Sequence, residues 1–258
     1  MHPRVIVVIP ARMAASRFPD KPLVSIAGLP MIEHVRRRAL RARGVDEVMV
    51  ATCDQVIADV VRQAGGRAVM TADTHERASG RVAEATEAIT GADTVVAVVQ
   101  GDEPLLLPEQ VEAMVAPFAA DAGVRCVSVL SPLESDEDYR NPNIVKAACN
   151  VRGEVMYFSR APIPYFQRMG PCPVYRETGL RAFRADFLQQ YAAFPETPFE
   201  RVESIDLMRV VEHGHRITAV ITTTPTYGVD RAEDVAIIER LLQEDRRQGT
   251  LHREICAS

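Results

Sequence analysis

The sequence predicts an α/β protein with a doubly wound, mostly parallel sheet and a small inserted subregion. The runs 4–9 (RVIVVI) and 93–99 (DTVVAVV) are short, apolar and rich in β-branched residues, as strands covered on both faces require. Segments with helical spacing alternate with such runs across short connections. At 258 residues, the chain can enclose one large α/β core.

The first half of the chain gives the clearest alternation of strand and helix. Met31, Val35 and Ala39 follow helical spacing, and Gly44 is a helix stop signal. Gly65 and Gly66 mark a turn before the next strand. The predicted elements are strand 4–9, helix 30–43, strand 45–52, helix 55–64, strand 67–70, helix 81–89 and strand 93–99.

The second half is less regular, and its pattern predicts a hairpin and a proline-rich segment among further strands and helices. No repeat or linker divides the chain, so we expect a single domain over 1–258 with a subregion at about 140–215. The predicted elements are helix 109–122, strand 125–130, the hairpin 144–150 with 154–158, irregular chain 161–175, strand 179–184, helix 204–212, strand 216–222 and a terminal helix 232–247.

Composition and charge argue against several function classes. The net charge of -5 and pI near 5.7 give no long-range attraction to nucleic acid or to an anionic membrane. The five cysteines are scattered without zinc or disulfide spacing, which fits a reduced cytoplasm. No secretion signal or membrane-spanning run is visible, so we expect a cytoplasmic location.

The loop after the first strand carries three cations. In the stretch IPARMAASRFPDKPL at 9–23, small residues separate Arg12 from Arg17 and Lys21. Small residues let backbone amides approach an anion, so the loop predicts a phosphate cradle. It matches neither the P-loop nor the dinucleotide GxGxxG pattern. The alternative is an ordinary exposed basic turn.

Two acidic residues far apart in sequence are candidate metal ligands. Asp102 lies in VQGDEP after a buried strand, and Asp230 precedes the last predicted helix. Either carboxylate could instead cap a helix. If both meet beside the cationic loop, they suit Mg²⁺, which prefers oxygen and takes one or two protein carboxylates.

Five motifs occur along the chain: PARxxxSRxPxKPL at 10–23, QGDEP at 100–104, NPNxVK at 141–146, YFSRAxIP at 157–164 and VDxxED at 229–234. Together they resemble one enzyme family, the CMP-Kdo synthetases (3-deoxy-manno-octulosonate cytidylyltransferases). They follow the family's order, and the resemblance spans about 5–241. It implies a Rossmann-like nucleotidyltransferase that uses CTP and Mg²⁺, joins CMP to a small acid, releases pyrophosphate and forms a homodimer.

The resemblance also implies roles for individual residues, with the subregion at about 140–215 serving acceptor binding and dimerisation. The implied catalytic residues are Arg12, Lys21, Asp102 and Asp230, of which Asp102 and Asp230 would bind the metal. The implied nucleotide-binding residues are Pro10, Ala11, Arg12, Ser16, Arg17, Lys21, Arg81 and Gln100. The implied acceptor-binding residues are Arg77, Arg160, Glu177, Arg181 and Asp206.

The sequence departs from the family pattern mainly on the acceptor side. The family's HxSGT[DE]R reads HERASGR at 75–81, RHLGxYxYR reads RETGLRAFR at 176–184, and ExLEQLR reads ESIDLMR at 203–209. Asp20 also stands where the family prefers Gly. Neutral hydrogen-bonding groups are lost and guanidinium groups are gained, and Arg matches carboxylate or phosphonate geometry well.

We therefore expect an acceptor smaller and more anionic than Kdo, for example phosphonoformate. The alternative is ordinary Kdo binding, with Arg77 and Arg181 in surface salt bridges. Other readings are a uridylyl- or guanylyltransferase and a non-catalytic nucleotide-binding regulator. The presence of both Asp102 and Asp230 favours an enzyme over the regulator.

Overall fold

The computed structural model describes residues 3–13, 18–75, 77–89, 91, 93–133, 135–168 and 172–257. A nine-stranded sheet forms its centre. Its strands are β1 Arg4–Ala11, β4 Glu47–Thr52, β5 Arg67–Met70, β6 Thr94–Val98, β7 Cys126–Pro132, β8 Lys146–Cys149, β9 Val155–Ser159, β10 Tyr175–Arg184 and β11 Thr218–Ile221. The main strand order is β11-β7-β10-β6-β1-β4-β5, and β8 and β9 are attached beside β10.

The parallel pairing of the central strand β1 confirms the predicted α/β class. It pairs in parallel with β4 and β6, and β4 pairs in parallel with β5. Strand β10 runs antiparallel to β6 and β7, and β11 is parallel to β7. The sheet is therefore mixed, with a mostly parallel half that contains β1 and β6.

Helices cover both faces of the sheet. They are α1 Met31–Ala39, α2 Gln55–Gln63, α3 Ala78–Ala85, α4 Pro108–Ala120, α5 Asp136–Arg140, α6 Ala185–Ala193, α7 Pro198–Glu203, α8 Met208–Glu212, α9 Ala232–Glu244 and α10 Arg246–Cys256. Helices α1, α2 and α4 pack on one face, and α3, α6 and α8 pack on the other. Alternate residues of β1 enter the two cores, with Val7 and Ile9 in one and Ile6 and Val8 in the other.

Four predicted helices have clearly different bounds. Helix α3 runs Ala78–Ala85, where 81–89 was predicted. The predicted terminal helix 232–247 is wrong, because the Asp245 side chain accepts hydrogen bonds from the amides of Arg247 and Gln248 and so begins a separate helix, α10. The predicted helix 204–212 begins only at Met208, because Ser204 ends α7 in the left-handed region at φ 54°. Helix α1 ends at Ala39, earlier than the predicted 43.

Other elements were not predicted from the sequence. They are α5, α6, α7, α10, a short 3₁₀ turn at Lys21–Leu23, and the two-stranded hairpin of β2 Ser25–Ile26 with β3 Leu29–Pro30. The hairpin 144–150 with 154–158 is confirmed as β8 and β9, which pair antiparallel. In the ranges given above, no helix is long and apolar enough to cross a lipid bilayer.

Candidate active site

Lys21, Asp102 and Asp230 converge on one point at the edge of the sheet. The Lys21 Nζ lies 2.7 Å from Asp102 Oδ2 and 3.9 Å from Asp230 Oδ1. It also donates to the Val229 carbonyl oxygen at 2.8 Å. The predicted meeting of the two distant carboxylates beside the cationic loop is confirmed.

Strand topology brings these residues together. Strands β1 and β6 are parallel neighbours with Val8 opposite Val98, so the residues that follow each strand lie at the same edge. The Val229 amide donates to the Asp102 carbonyl oxygen at 2.9 Å, which draws the chain before α9 to that edge. Positions that are more than one hundred residues apart thus share one site.

The alternative role as helix caps does not apply to either carboxylate. Helix α4 has Leu107 at its N-cap, five residues after Asp102. At α9, Asp234 accepts hydrogen bonds from the amides of Asp230 and Arg231. The side chain of Asp230 is itself 72% exposed and remains available to a ligand.

The donor set at this point suits a hard divalent cation. In the structure the Lys21 ammonium provides the positive charge that Asp102 and Asp230 share. Two carboxylates that converge on a single cationic group are what Mg²⁺ uses when it also binds phosphates and water. Among the residues described, no group of three or more His, Cys, Asp or Glu side chains is arranged to hold a metal alone. Metal binding by Asp102 and Asp230 stays a prediction.

The predicted phosphate loop begins at the end of β1. Pro10 and Ala11 are its last strand residues, and Ala11 is buried. Arg12 is exposed, and no ion pair links it to any residue in the described ranges. The loop is anchored by the Met13 amide, which donates to Asp54 Oδ2 at 2.8 Å. Ser16 and Arg17 lie outside the described residues.

Gln100 and Arg81 occupy different surroundings. Gln100 follows β6, and its Nε2 lies 3.4 Å from the Gly179 carbonyl oxygen on β10. Arg81 is buried, and its Nη1 donates to Thr71 Oγ1 at 2.5 Å and to the Ala72 carbonyl oxygen at 3.2 Å. Arg81 thus binds the chain after β5, and contact with a nucleotide stays a prediction.

Three predicted acceptor residues, Glu177, Arg181 and Asp206, form a largely buried charged cluster beside the end of β6. Arg181 lies opposite Val98, and its Nη1 is 2.5 Å from Asp206 Oδ1. Asp206 Oδ2 also accepts from Ser79 Oγ at 2.9 Å. Glu177 accepts from the Gly179 amide at 2.9 Å.

The pKa values of this cluster follow from burial and mutual charge. Burial raises the pKa of the Glu177 carboxyl. Burial alone would raise the pKa of the Asp206 carboxyl, but the charge and hydrogen bond of Arg181 lower this pKa below the ordinary value. Burial alone would lower the pKa of the Arg181 guanidinium, but the charges of Asp206 and Glu177 raise this pKa above the ordinary value. Arg181 and Asp206 therefore form an internally neutralised ion pair.

The other two acceptor candidates, Arg77 and Arg160, also contact the chain itself. Arg77 lies 3.5 Å from Glu200 and 3.6 Å from Glu196. Arg160 donates from Nε to the Glu203 carbonyl oxygen at 2.8 Å and from Nη1 to Pro142 at 3.0 Å. The guanidinium groups that suggested an unusually anionic acceptor thus already have protein partners. The alternative of ordinary Kdo binding predicted that Arg181 forms a surface salt bridge. Its ion pair with Asp206 is instead buried.

Two further charged residues near the site, the buried Lys146 and the partly buried Glu103, are not among the predicted site residues. Lys146 donates from Nζ to three carbonyl oxygens, including that of Arg160 at 2.6 Å. Glu103 lies next to Asp102, and burial, followed by the Asp102 charge, raises its pKa to about 8. Their sequence signals are their places in the NPNxVK and QGDEP motifs, and Lys146 is also one of only two lysines in the sequence.

Comparisons with known proteins agree on a family. The family model described as cytidylyltransferase matches residues 6–217. A 3-deoxy-manno-octulosonate cytidylyltransferase of Acaryochloris marina is 40% identical over 93% of this chain and 98% of its own length. The protein of the same name from an Anaeromyxobacter species is 43% identical over 95% of this chain and 99% of its own.

Solved structures give the same result at the level of the fold. A CMP:2-keto-3-deoxy-manno-octonic acid synthetase complexed with CTP has a TM-score of 0.88 and 34% identity, covering 94% of this chain and 99% of its own. A 4-diphosphocytidyl-2C-methyl-D-erythritol synthase from Anaerococcus prevotii has a TM-score of 0.63 at 14% identity, over 94% and 97% of the two chains, and shows the fold alone.

Proposed function

Because this chain belongs to the cytidylyltransferase family, we propose that it transfers CMP from CTP to 3-deoxy-manno-octulosonate (Kdo) with release of pyrophosphate. The observation that carries the proposal is the convergence of Lys21, Asp102 and Asp230 beside the loop after β1. The CTP-bound synthetase with 34% identity and the Kdo-named relatives at about 40% identity support this substrate pair.

The proposed chemistry is an in-line attack of an acceptor oxygen on the α-phosphorus of CTP. Such a reaction needs positioning and charge stabilisation more than covalent catalysis. Lys21 and the exposed Arg12 would offset the negative charge that develops on the departing pyrophosphate. Asp102 and Asp230 would hold Mg²⁺, which when bound orients phosphate oxygens and withdraws charge from them.

We infer that the acceptor is Kdo rather than a phosphonate. The relatives reported above are named for Kdo, and no comparison supports phosphonoformate. The structure removes the main reason for expecting a phosphonate, because Arg77 and Arg181 already contact carboxylates. Glu177, Arg181 and Asp206 would then act mainly as an ordered wall beside the acceptor, with Arg160 at its margin.

The assay for this proposal measures pyrophosphate release with CTP, Mg²⁺ and Kdo. We expect turnover with Kdo at least tenfold above that with phosphonoformate, and turnover with CTP well above that with ATP, GTP or UTP. Release of pyrophosphate only with phosphonoformate would reject the Kdo assignment. Binding of CTP without turnover on either acceptor would favour the nucleotide-binding regulator. A homodimer and a cytoplasmic location stay predictions.

A further inference from the structure

The Lys21 ammonium occupies the position between the two predicted metal ligands. Its Nζ lies 2.7 Å from Asp102 Oδ2 and 3.9 Å from Asp230 Oδ1, and it donates to the Val229 carbonyl oxygen at 2.8 Å. The Lys21 side chain is only 14% exposed, whereas the Asp230 side chain is 72% exposed. The ammonium is therefore held among three oxygen atoms, at the point that a metal ion shared by both carboxylates would also need.

The backbone that carries the two carboxylates is fixed by packing. Val229, next to Asp230, is fully buried in an apolar cluster that also contains Leu105, three residues after Asp102. The other buried members of this cluster are Ile26, Met31, Ile238 and Leu242. The Val229 amide also donates to the Asp102 carbonyl oxygen at 2.9 Å. The core therefore sets where the two carboxylates stand.

The backbone of Lys21 is fixed as well, but its side chain can change position. Lys21 begins the 3₁₀ turn Lys21–Leu23, in which Pro22 is buried. The Leu23 amide donates to the Asp20 carbonyl oxygen at 2.9 Å and closes this turn. A lysine ammonium is a compact charge on a flexible four-carbon stem. Of the three charged groups at this point, the Lys21 side chain is thus the one that can leave.

Metal binding and the Lys21 contact compete for the same oxygen atoms. Mg²⁺ binds carboxylate oxygens at about 2.0–2.1 Å, so a metal held by Asp102 and Asp230 would meet the ammonium and be repelled by its charge. An ammonium that leaves this partly enclosed place loses its oxygen partners, and another anion must replace them. The triphosphate of a nucleotide provides such an anion, because Lys21 also belongs to the predicted nucleotide site.

We propose that Lys21 takes the place of the metal between Asp102 and Asp230 until nucleotide phosphates draw its ammonium away, so that Mg²⁺ binding depends on the nucleotide. This inference rests on the proposed metal-dependent function. It has an unusual consequence, because loss of a positive charge that helps to bind the nucleotide should strengthen metal binding to the nucleotide-free protein.

The test measures Mn²⁺ binding without nucleotide by electron paramagnetic resonance, so it requires no turnover. Lys21→Met keeps a stem of similar length and removes the charge. Arg12→Ala is the matched control, because it removes another cation of the same loop that has no ion-pair partner in the described part of the chain. The double variant Lys21→Met/Asp102→Asn shows whether any gain belongs to this centre.

We expect Lys21→Met to lower the Kd for Mn²⁺ by at least about tenfold, because it removes a positive charge in direct contact with a ligand carboxylate. Arg12→Ala should stay within about twofold of wild type, since solvent and salt screen an exposed charge. The double variant should lose most of the gain. If Lys21→Met does not fold, Lys21→Gln removes the same charge and should shift the Kd in the same direction.

Three outcomes would overturn the inference. Unchanged or weaker Mn²⁺ binding in Lys21→Met would show that the ammonium does not compete with the metal. An equal gain in Arg12→Ala would assign the effect to the overall charge of the loop. A gain that persists in the double variant would place the metal elsewhere. Wild-type protein that binds CTP but releases no pyrophosphate would count against the proposed function instead, and the Mn²⁺ comparison would still decide the role of Lys21.

Discussion

At the scale of single residues, substitution of Arg12 can distinguish a phosphate-binding loop from an ordinary basic turn. Arg12 is exposed and has no ion-pair partner in the described part of the chain, so folding gains little from its charge. A charge-assisted hydrogen bond to phosphate, in contrast, would contribute strongly to nucleotide binding.

We therefore expect Arg12→Ala to raise the KM for CTP by about tenfold or more. The free energy of unfolding should change by less than about 0.5 kcal/mol. Steady-state kinetics and urea unfolding measure the two effects, with Arg62→Ala on α2 as an exposed arginine control. An unchanged KM would favour the basic-turn alternative.

His34 gives the protein a specific sensitivity to acid. Burial lowers its pKa from 6.5 to about 4, and Arg38 and His252 oppose its protonation further. Its Nε2 bonds to the Ile26 carbonyl oxygen at 2.8 Å, while Nδ1 has no partner in the residues described. Between pH 6.5 and 4 the unfolded chain binds this proton and the folded protein does not, so stability falls as the pH decreases.

Over this interval, His34 should account for a loss of about 3 kcal/mol, which levels off below pH 4. In His34→Gln, whose amide can still donate to Ile26, the decline in unfolding free energy from pH 7 to 4 should be smaller by a large part of that amount. Urea unfolding at several pH values measures the difference. Parallel pH curves for the two proteins would show that His34 is not responsible.

At the scale of elements, the hairpin of β2 and β3 turns through Ala27 and Gly28. Both have positive φ, 47° and 86°, as a two-residue hairpin turn requires. Ala is disfavoured in this region because its Cβ approaches the following carbonyl oxygen, whereas Asn tolerates it. The hairpin leads directly into α1.

Ala27→Asn should therefore stabilise the protein by about 0.5–1 kcal/mol. Chemical unfolding measures the change, and Ser25→Asn on the adjoining strand, where no positive φ is required, is the control. Equal effects of the two substitutions would contradict the backbone explanation.

How well the sequence predicts an element depends on whether the element is specified by its own residues or by pairing with distant parts of the chain. Strands β1 and β6 were clear because burial on both faces leaves an uninterrupted apolar run. Helix α10 was missed because residues 243–250 (QEDRRQGT) contain no apolar residue that would mark the start of a second helix, and only the capping side chain of Asp245 separates α10 from α9. The antiparallel placement of β10 depends on long-range pairing, which no local pattern encodes.

At the scale of the whole molecule, α10 connects α1 to the chain that follows Asp102. Gln248 accepts from Arg38 Nη1 at 2.6 Å and donates to the Leu105 carbonyl oxygen at 3.0 Å. Arg38 is fully buried, and burial lowers its pKa to about 10. Within the described residues, its other side-chain hydrogen bond is to the Leu106 carbonyl oxygen at 3.2 Å.

Gln248→Ala should therefore destabilise the protein by about 2 kcal/mol, because it leaves a buried guanidinium without its better acceptor. The exposed Gln243→Ala on α9 is the matched control and should change stability little. Urea unfolding of both variants measures the difference. A similar small effect for the two would mean that Arg38 finds another partner.

The candidate site was predictable where parallel strand ends bring residues together, as for Lys21 and Asp102. It was less predictable where a charge could face either a ligand or another residue. Arg181 is the clearest example, since its buried pairing with Asp206 depends on two segments that meet only in the folded chain. A sequence pattern states which charges are present, and packing decides which of them are already neutralised.

The most direct test of the account is Mn²⁺ binding in the presence of CTP, followed by electron paramagnetic resonance. Mn²⁺ takes the place of Mg²⁺ and reports binding without turnover. We predict that Asp102→Asn and Asp230→Asn each weaken Mn²⁺ binding by at least about tenfold, while Asp59→Asn on α2 has no effect. Wild-type Mn²⁺ affinity in both site variants would contradict the claim that these two carboxylates form one metal–nucleotide centre.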